Sequence, residues 1–108
     1  MREVYFHNNG ADHDVGNFLI SLGDYQHIVL EDLCIIAHEG PEALECCDMG
    51  RGVWEYRRAV APGRYAVLLF ALLSESNVYI VLHGFRAGRE GTARHDLRHA
   101  YGVLKAYR

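Results

Sequence analysis

The sequence has few cysteines, and it has no apolar segment long enough to be a membrane anchor. Its 108 residues include three cysteines, Cys34, Cys46 and Cys47, an odd number with two at adjacent positions. This is a poor framework for disulfide bonds or for one metal ion, so reduced thiols are expected. The longest apolar run, residues 66–73, is too short to cross a bilayer. The first residues lack the pattern of a secretory signal, and we expect a cytoplasmic protein without a membrane partner.

Positive charge is almost missing from the first half of the chain. Residues 1–50 contain one basic and ten acidic residues, a net charge of −9, whereas residues 51–108 carry a net charge of +6. The overall charge of −3 argues against a nucleic-acid binder, which is usually basic. The unequal distribution argues for one, because the local field matters more than the total. The alternative is a solvated acidic helical face beside an ordinary basic half.

One domain of the α+β class is predicted. The chain is of single-domain length and has no internal repeat. Its hydrophobic periodicity predicts a small, mainly antiparallel four-stranded sheet in the order β-α-α-β-β-β-α, with two N-terminal helices and one C-terminal helix. The predicted strands are residues 3–7, 53–58, 64–73 and 78–85, and the predicted helices are residues 12 or 14 to 22, 25–38 and 92–107.

Several local signals refine this prediction. Asp12 or Asp14 could cap the first helix, after a turn at residues 8–10. Residues 41–52 are expected to form a polar connection with one helical turn. The nearly continuous apolar character of residues 64–73 predicts burial on both faces of the sheet. Three glycines predict a flexible loop at residues 84–92.

Five motifs occur in a characteristic order. They are Phe18-Leu19-Ile20-Ser21-Leu22, Gly52-Val53-Trp54-Glu55-Tyr56-Arg57, Gly63-Arg64-Tyr65-Ala66-Val67-Leu68-Leu69-Phe70, His83-Gly84-Phe85-Arg86-Ala87, and a helix beginning near Thr92. In this order they resemble the RelE/ParE superfamily of bacterial toxins, in particular its HigB-like, phage-derived branch, over about residues 3–107. Where that pattern has an arginine after the tyrosine, this chain has Ala66. Arg64 lies two residues earlier, on the same face of the strand.

The resemblance implies a RelE-like fold and the toxin of a type II toxin–antitoxin system. Such a toxin is a ribosome-dependent mRNA endoribonuclease that uses neither metal nor cofactor, and the 2′-hydroxyl of one nucleotide attacks the adjacent phosphate. The implied partners are mRNA, the ribosome and a helix-turn-helix antitoxin of the HigA type, in a homodimer or in a heterotetramer with the antitoxin. Two alternatives are a ParE-like inhibitor of DNA gyrase and a non-toxic, prophage-derived interaction protein with the same fold.

The candidate site residues are cations that bind phosphate and groups that transfer protons. Arginine holds phosphate through a bidentate fork, and histidine titrates near neutral pH. We expect these arginines to lie together on one side of the sheet. The catalytic candidates are Arg57, Arg64, His83, Arg86, Arg89 and His95. The substrate-binding candidates are Arg58, Arg94 and Tyr101.

Each candidate also has a structural interpretation. Arg57 could pair with Glu55 on its own strand, His83 could be a buried core histidine, and Tyr101 could belong to the core. Arg64 could be a solvated residue beside its turn, and Arg86 and Arg89 could bind nothing. His95 and His99 have the spacing of metal ligands on one helical face. No further ligand accompanies them in the sequence, so we predict no metal site and expect both histidines to face solvent.

Overall fold

The computed structural model describes residues 2–8 and 15–108. The possible caps Asp12 and Asp14, and most of the predicted turn at residues 8–10, lie outside these ranges. The strands are β1 (Val4–Phe6), β2 (Cys47–Gly50), β3 (Val53–Ala61), β4 (Arg64–Leu73) and β5 (Val78–Ala87). The helices are α1 (Val15–Ser21), α2 (Gln26–Glu39) and α3 (Arg94–Lys105), with short 3-10 turns at Gly23–Tyr25 and Pro41–Leu44.

The strands form one mixed sheet of five strands in the order β1-β5-β4-β3-β2. β1 runs parallel to β5, and the other neighbouring pairs are antiparallel. The α+β class is therefore confirmed, but the predicted number of four strands is wrong. The additional strand is β2, which lies in the segment predicted as a polar connection. It is held by its pairing with β3, as in Asp48 opposite Trp54, and not by an apolar pattern of its own.

The central strand β4 is covered on both faces, as its apolar sequence predicts. Leu68 and Phe70 belong to the core on the side of α1 and α2. Val67 and Leu69 belong to a second core on the side of α3. The sheet is thus the middle layer between two helical layers, and its central strands β4 and β5 are buried over most of their length and exposed toward their ends.

β5 differs from the predicted strand in two ways. It continues to Ala87, because Arg86 and Ala87 pair with residues of β4. Arg86 therefore has a fixed position on a strand, and the prediction that it belongs to a flexible loop is wrong. A bulge also occurs where His83 pairs with Leu69 and Val81 with Phe70, so that Leu82 has no partner on β4. As a result, Leu82 packs in the α3-side core while the next residue, His83, also contacts α3.

The last helix is shorter than predicted and ends at Lys105. Ala100 and Leu104 are its buried residues. Tyr107 lies beyond the helix and is exposed, and its hydroxyl lies 2.7 Å from Nδ1 of His7. The end of the chain is therefore joined to the segment after β1 and not inserted into the core.

Candidate functional site

The arginines predicted for the site lie on opposite faces of the sheet. Arg58 and Arg86 stand in one cross-strand row on either side of Ala66, facing α1 and α2, and Arg64 shares that face by strand alternation. Arg57 faces α3. The expectation that these cations lie together on one side of the sheet is therefore wrong. Successive residues of a strand point to opposite faces, and Arg57 and Arg58 are adjacent on β3.

Arg64 and Arg86 do share a concave surface, which we call the terminal cleft. It has a volume of about 630 Å³ and is lined by Leu22, Tyr25, Val60, Ala61, Gly63, Arg64, Tyr65, Arg86, Ala87, Gly88 and Glu90. One guanidinium nitrogen of Arg86 donates a hydrogen bond to the carbonyl oxygen of Ser21, at 2.9 Å, which fixes this cation beside the end of α1. The cleft is of the size that binds small molecules or a nucleotide.

Arg89 reaches the same end of the sheet from the loop that follows β5. A Cβ atom added to Gly63 would lie 3.0 Å from Nε of Arg89, so its guanidinium packs on the turn between β3 and β4. Gly63 has a φ of 69°, which favours glycine at this position. Arg89 thus contacts the turn that precedes Arg64, while Arg86 lines the same cleft as Arg64 from β5. Guanidinium groups arranged in this way can hold a phosphate through several charge-assisted hydrogen bonds.

Arg57 is used on the opposite face to hold the loop before α3. Its guanidinium lies 4.3 Å from the centre of the Tyr65 ring and donates a hydrogen bond to the carbonyl of Gly88, at 3.1 Å. Its Nε lies 4.0 Å from a carboxylate oxygen of the buried Glu55, which also accepts a hydrogen bond from the hydroxyl of Thr92. The structural interpretation, a pair with Glu55, is therefore what the structure shows for Arg57.

The two histidines proposed to transfer protons meet at one carboxylate, that of Asp96. Nε2 of His83 lies 2.8 Å from one oxygen of Asp96, and Nε2 of His95 lies 3.4 Å from the other. His83 is buried and stacks on Phe85. This group lies between the sheet and α3, on the other face from the arginines of the terminal cleft.

His99 also belongs to this group, which corrects the expectation that it faces solvent. Its ring centre lies 4.5 Å from that of His83, and the side chain is half-buried, whereas His95 is exposed. In residues 2–8 and 15–108, no three His, Cys, Asp or Glu side chains are placed so that they could bind a metal ion together. His83 and His99 therefore pack on each other beside Asp96, and His95 lies at the exposed edge of the group.

Arg58 is paired with an acid that the sequence analysis did not single out. Its Nε lies 3.5 Å from Asp32 of α2, and the hydroxyl of Tyr56 donates a hydrogen bond to the same carboxylate. Burial and this hydrogen bond raise the pKa of Tyr56 well above its usual range.

The thiol of Cys46 lies in the same region. Its pKa is raised to about 11, mainly by burial and to a smaller extent by the neighbouring Cys47. Next to α2, the thiol of Cys46 is therefore neutral, and the carboxylate of Asp32 is bound by Arg58 and Tyr56 of β3.

Arg94 and Tyr101 are distant from the terminal cleft along the sheet. Together with Arg51, Leu97 and Arg98 they line a separate concave surface of about 460 Å³. The hydroxyl of Tyr101 shares its one hydrogen between the carbonyl oxygens of Met49 and Gly50, at 2.9 and 3.1 Å. Tyr101 therefore stabilises the turn after β2. Its side chain is half-buried, which agrees in part with its interpretation as a core residue.

No family model, curated protein or solved structure matches this chain. No helix within the described ranges has the length and hydropathy needed to span a membrane. Functional assignment therefore depends on the chemistry of the side chains, and in particular on the terminal cleft.

Proposed function

We propose that the protein is the toxin of a type II toxin–antitoxin pair, and that it cuts mRNA on the ribosome and so arrests translation. The observation that carries the proposal is the terminal cleft, where Arg64 and Arg86 line one concave surface of nucleotide size. Both are phosphate-binding candidates predicted from the resemblance. Arg89, which packs against Gly63 at the edge of the cleft, provides a third cation.

The chemistry proposed for this cleft needs no metal. The 2′-hydroxyl attacks the adjacent phosphorus, and the bond from phosphorus to the 5′-oxygen of the next nucleotide breaks. Arg64 and Arg86 stabilise the negative charge that develops on the phosphate oxygens. Glu90 is the carboxylate that lines the cleft and accepts the proton of the 2′-hydroxyl, while the leaving 5′-oxygen takes a proton from water. The ring of Tyr25, exposed at the cleft, provides a surface on which a base can stack.

The proposal includes the partners implied by the resemblance. The toxin acts in the cytoplasm without a cofactor, and a helix-turn-helix antitoxin of the HigA type blocks it by covering the terminal cleft. Because an antitoxin seated there would contact Arg64 and Arg86, the same arginines would contribute both to RNA binding and to inhibition.

The test is controlled expression followed by mapping of mRNA 5′ ends. We expect growth arrest with new 5′ ends inside translated codons, and relief of both effects when the neighbouring antitoxin gene is expressed together with this chain. Arg86→Ala should abolish the new ends, while Lys105→Ala, which removes an exposed cation at the end of α3, should not. Growth arrest with intact mRNA would contradict the proposal.

A binding inhibitor without RNA chemistry is the second candidate. It is favoured by one observation: among the described residues that line the terminal cleft there is no histidine, and His83 and His95 contact Asp96 on the other face. A gyrase inhibitor of the ParE type would produce growth arrest with DNA damage and intact mRNA. No arrest at all would indicate a non-toxic interaction protein with this fold.

A further inference from the structure

Three arginines surround Tyr101 at the end of the sheet opposite the terminal cleft. We call Arg51, Arg94 and Arg98 the α3 arginine patch. All three are exposed, and they line a concave surface of about 460 Å³ together with Leu97 and Tyr101. Arg94 and Arg98 are one helical turn apart on α3, so their side chains start from neighbouring points of one face.

The patch is not neutralised within the described part of the chain. None of the ion pairs found in residues 2–8 and 15–108 includes Arg51, Arg94 or Arg98. The guanidinium of Arg51 lies 5.5 Å from the centre of the Tyr101 ring, so an aromatic face and not a carboxylate is its neighbour. The positive charge is therefore available to an external anion.

Two of these arginines occupy positions that are unfavourable for stability. Arg51 has a φ of 55° between two glycines in the turn from β2 to β3, a conformation that glycine or asparagine adopts more easily. Arg94 is the first residue of α3, where the positive end of the helix dipole disfavours a cation. Cations at positions where they lower stability indicate that these cations have a binding role.

The α3 arginine patch and the terminal cleft lie at opposite ends of β3. Arg51 precedes the first residue of the strand, and Gly63 follows its last residue. A strand of nine residues is about 27 Å long from its first to its last Cα atom. A single nucleotide bound in the terminal cleft cannot contact the patch, whereas a folded or extended RNA can contact both.

We propose that the α3 arginine patch is a second anion site, which binds the phosphate backbone of RNA outside the segment held in the terminal cleft. The choice of RNA rests on the proposed function. The recognition is by charge, since the three cations present no arrangement that distinguishes bases. The patch would hold a structured part of the RNA, and a neighbouring single-stranded part of the same RNA could then enter the terminal cleft.

The test compares two charge reversals on α3, Arg98→Glu in the patch and Lys105→Glu outside it. The probe is a labelled RNA hairpin with a single-stranded tail, and binding is measured by fluorescence anisotropy over a range of salt concentrations. We expect Arg98→Glu to weaken binding at least tenfold. It should also reduce the salt dependence, by about 0.7–0.9 in the logarithmic slope for each phosphate that the variant no longer neutralises. Lys105→Glu should have less than one third of that effect on affinity.

Arg94→Glu provides a readout that separates binding from folding. A carboxylate at the start of α3 should raise the thermal midpoint, since it complements the helix dipole, and yet it should weaken RNA binding. A protein that is more stable and binds less RNA would support the patch. A protein that is less stable, or that binds as well as the wild type, would overturn it.

Other outcomes are also decisive. Equal RNA affinity of the Arg98→Glu and Lys105→Glu variants would overturn the proposal, even if mRNA is still cut when the protein is expressed. Absence of mRNA cutting, together with weaker RNA binding by Arg98→Glu, would instead contradict the proposed nuclease and leave the patch supported. Salt-sensitive self-association that Arg98→Glu abolishes, with no RNA binding, would assign the patch to the acidic half of a second copy and overturn the RNA site.

Discussion

Phe18 of α1 packs directly on Gly84 of β5. A Cβ atom added to Gly84 would lie 2.5 Å from Cδ2 of Phe18 and 3.1 Å from Cδ2 of Leu68. We therefore expect Gly84→Ala to push α1 away from the sheet and to lower the free energy of unfolding by about 1–3 kcal/mol. Urea denaturation followed by tryptophan fluorescence measures the change.

Gly102 of α3 is the matched control for Gly84. A Cβ atom there would meet no atom within 4 Å, and the residue is inside a helix, so Gly102→Ala should raise stability by about 0.5–1 kcal/mol. Equal effects of the two substitutions, in the same direction, would mean that contact with Phe18 does not determine the result at Gly84.

Replacing Arg64 or Arg86 should affect mRNA cleavage, whereas replacing Arg57 should affect stability. If both contact a phosphate in the transition state, each alanine variant should lower the rate of mRNA cleavage by at least tenfold, the effect of a contact of about 2–4 kcal/mol. Stability should change little, since both side chains are largely exposed. Cleavage rates near the wild-type value in both variants would remove the terminal cleft as the site of chemistry.

Arg57 and Glu55 should be coupled in stability. Replacing Arg57 with alanine removes the cation that lies 4.0 Å from the buried Glu55 and also the hydrogen bond from Arg57 to the carbonyl of Gly88, and we expect the free energy of unfolding to fall by about 1–3 kcal/mol. Glu55→Gln removes the charge that Arg57 balances. The double variant should therefore be more stable than the sum of the two single effects predicts, by at least about 0.5 kcal/mol. Additive effects in urea denaturation would show that the two groups do not interact.

Stability should decrease at alkaline pH because of Tyr56 and Cys46. The pKa of each is raised in the folded chain, that of Cys46 to about 11, so the folded state keeps protons that the unfolded chain releases at lower pH. The free energy of unfolding then falls as the pH rises, by at most about 1.4 kcal/mol per pH unit for each group.

The variant Tyr56→Phe tests the contribution of the phenol. Its unfolding free energy should fall less steeply than that of the wild type between about pH 9 and about pH 11. At neutral pH the variant should be less stable than the wild type, because Asp32 no longer accepts a hydrogen bond from the hydroxyl. Parallel pH profiles for the two proteins would contradict the raised pKa of Tyr56.

The sequence predicts the fold where hydrophobic periodicity is strong. The predictions for α2 and β4 agree with the structure to within one residue, because their apolar residues repeat with the period of a helix or fill both faces of a strand. β2 is not predicted, because Cys47-Asp48-Met49-Gly50 has neither signal. That strand exists through its pairing with β3, which depends on the turn at Arg51 and on the tertiary structure.

The candidate site could be predicted by residue type but not by position. Arginines near strand ends are visible in the sequence, yet the face that each occupies depends on alternation and on where pairing stops, as Arg57 and Arg58 show. Their acidic partners are less visible still. Asp32 and Asp96 lie on helices, and only the packing of those helices brings them to Arg58 and His83.

The parallel pairing of β1 with β5 has a consequence for biosynthesis. β1 is translated first, but its partner segment at residues 79–81 follows about 75 residues later, a separation also spanned by the hydrogen bond from Arg2 to Asn77. At a synthesis rate of about 5–20 residues per second, the delay between synthesis of β1 and synthesis of its partner segment is about 4–15 s. The sheet can therefore close at this edge only after β5 has been translated, and the backbone groups of β1 have no partner strand until then.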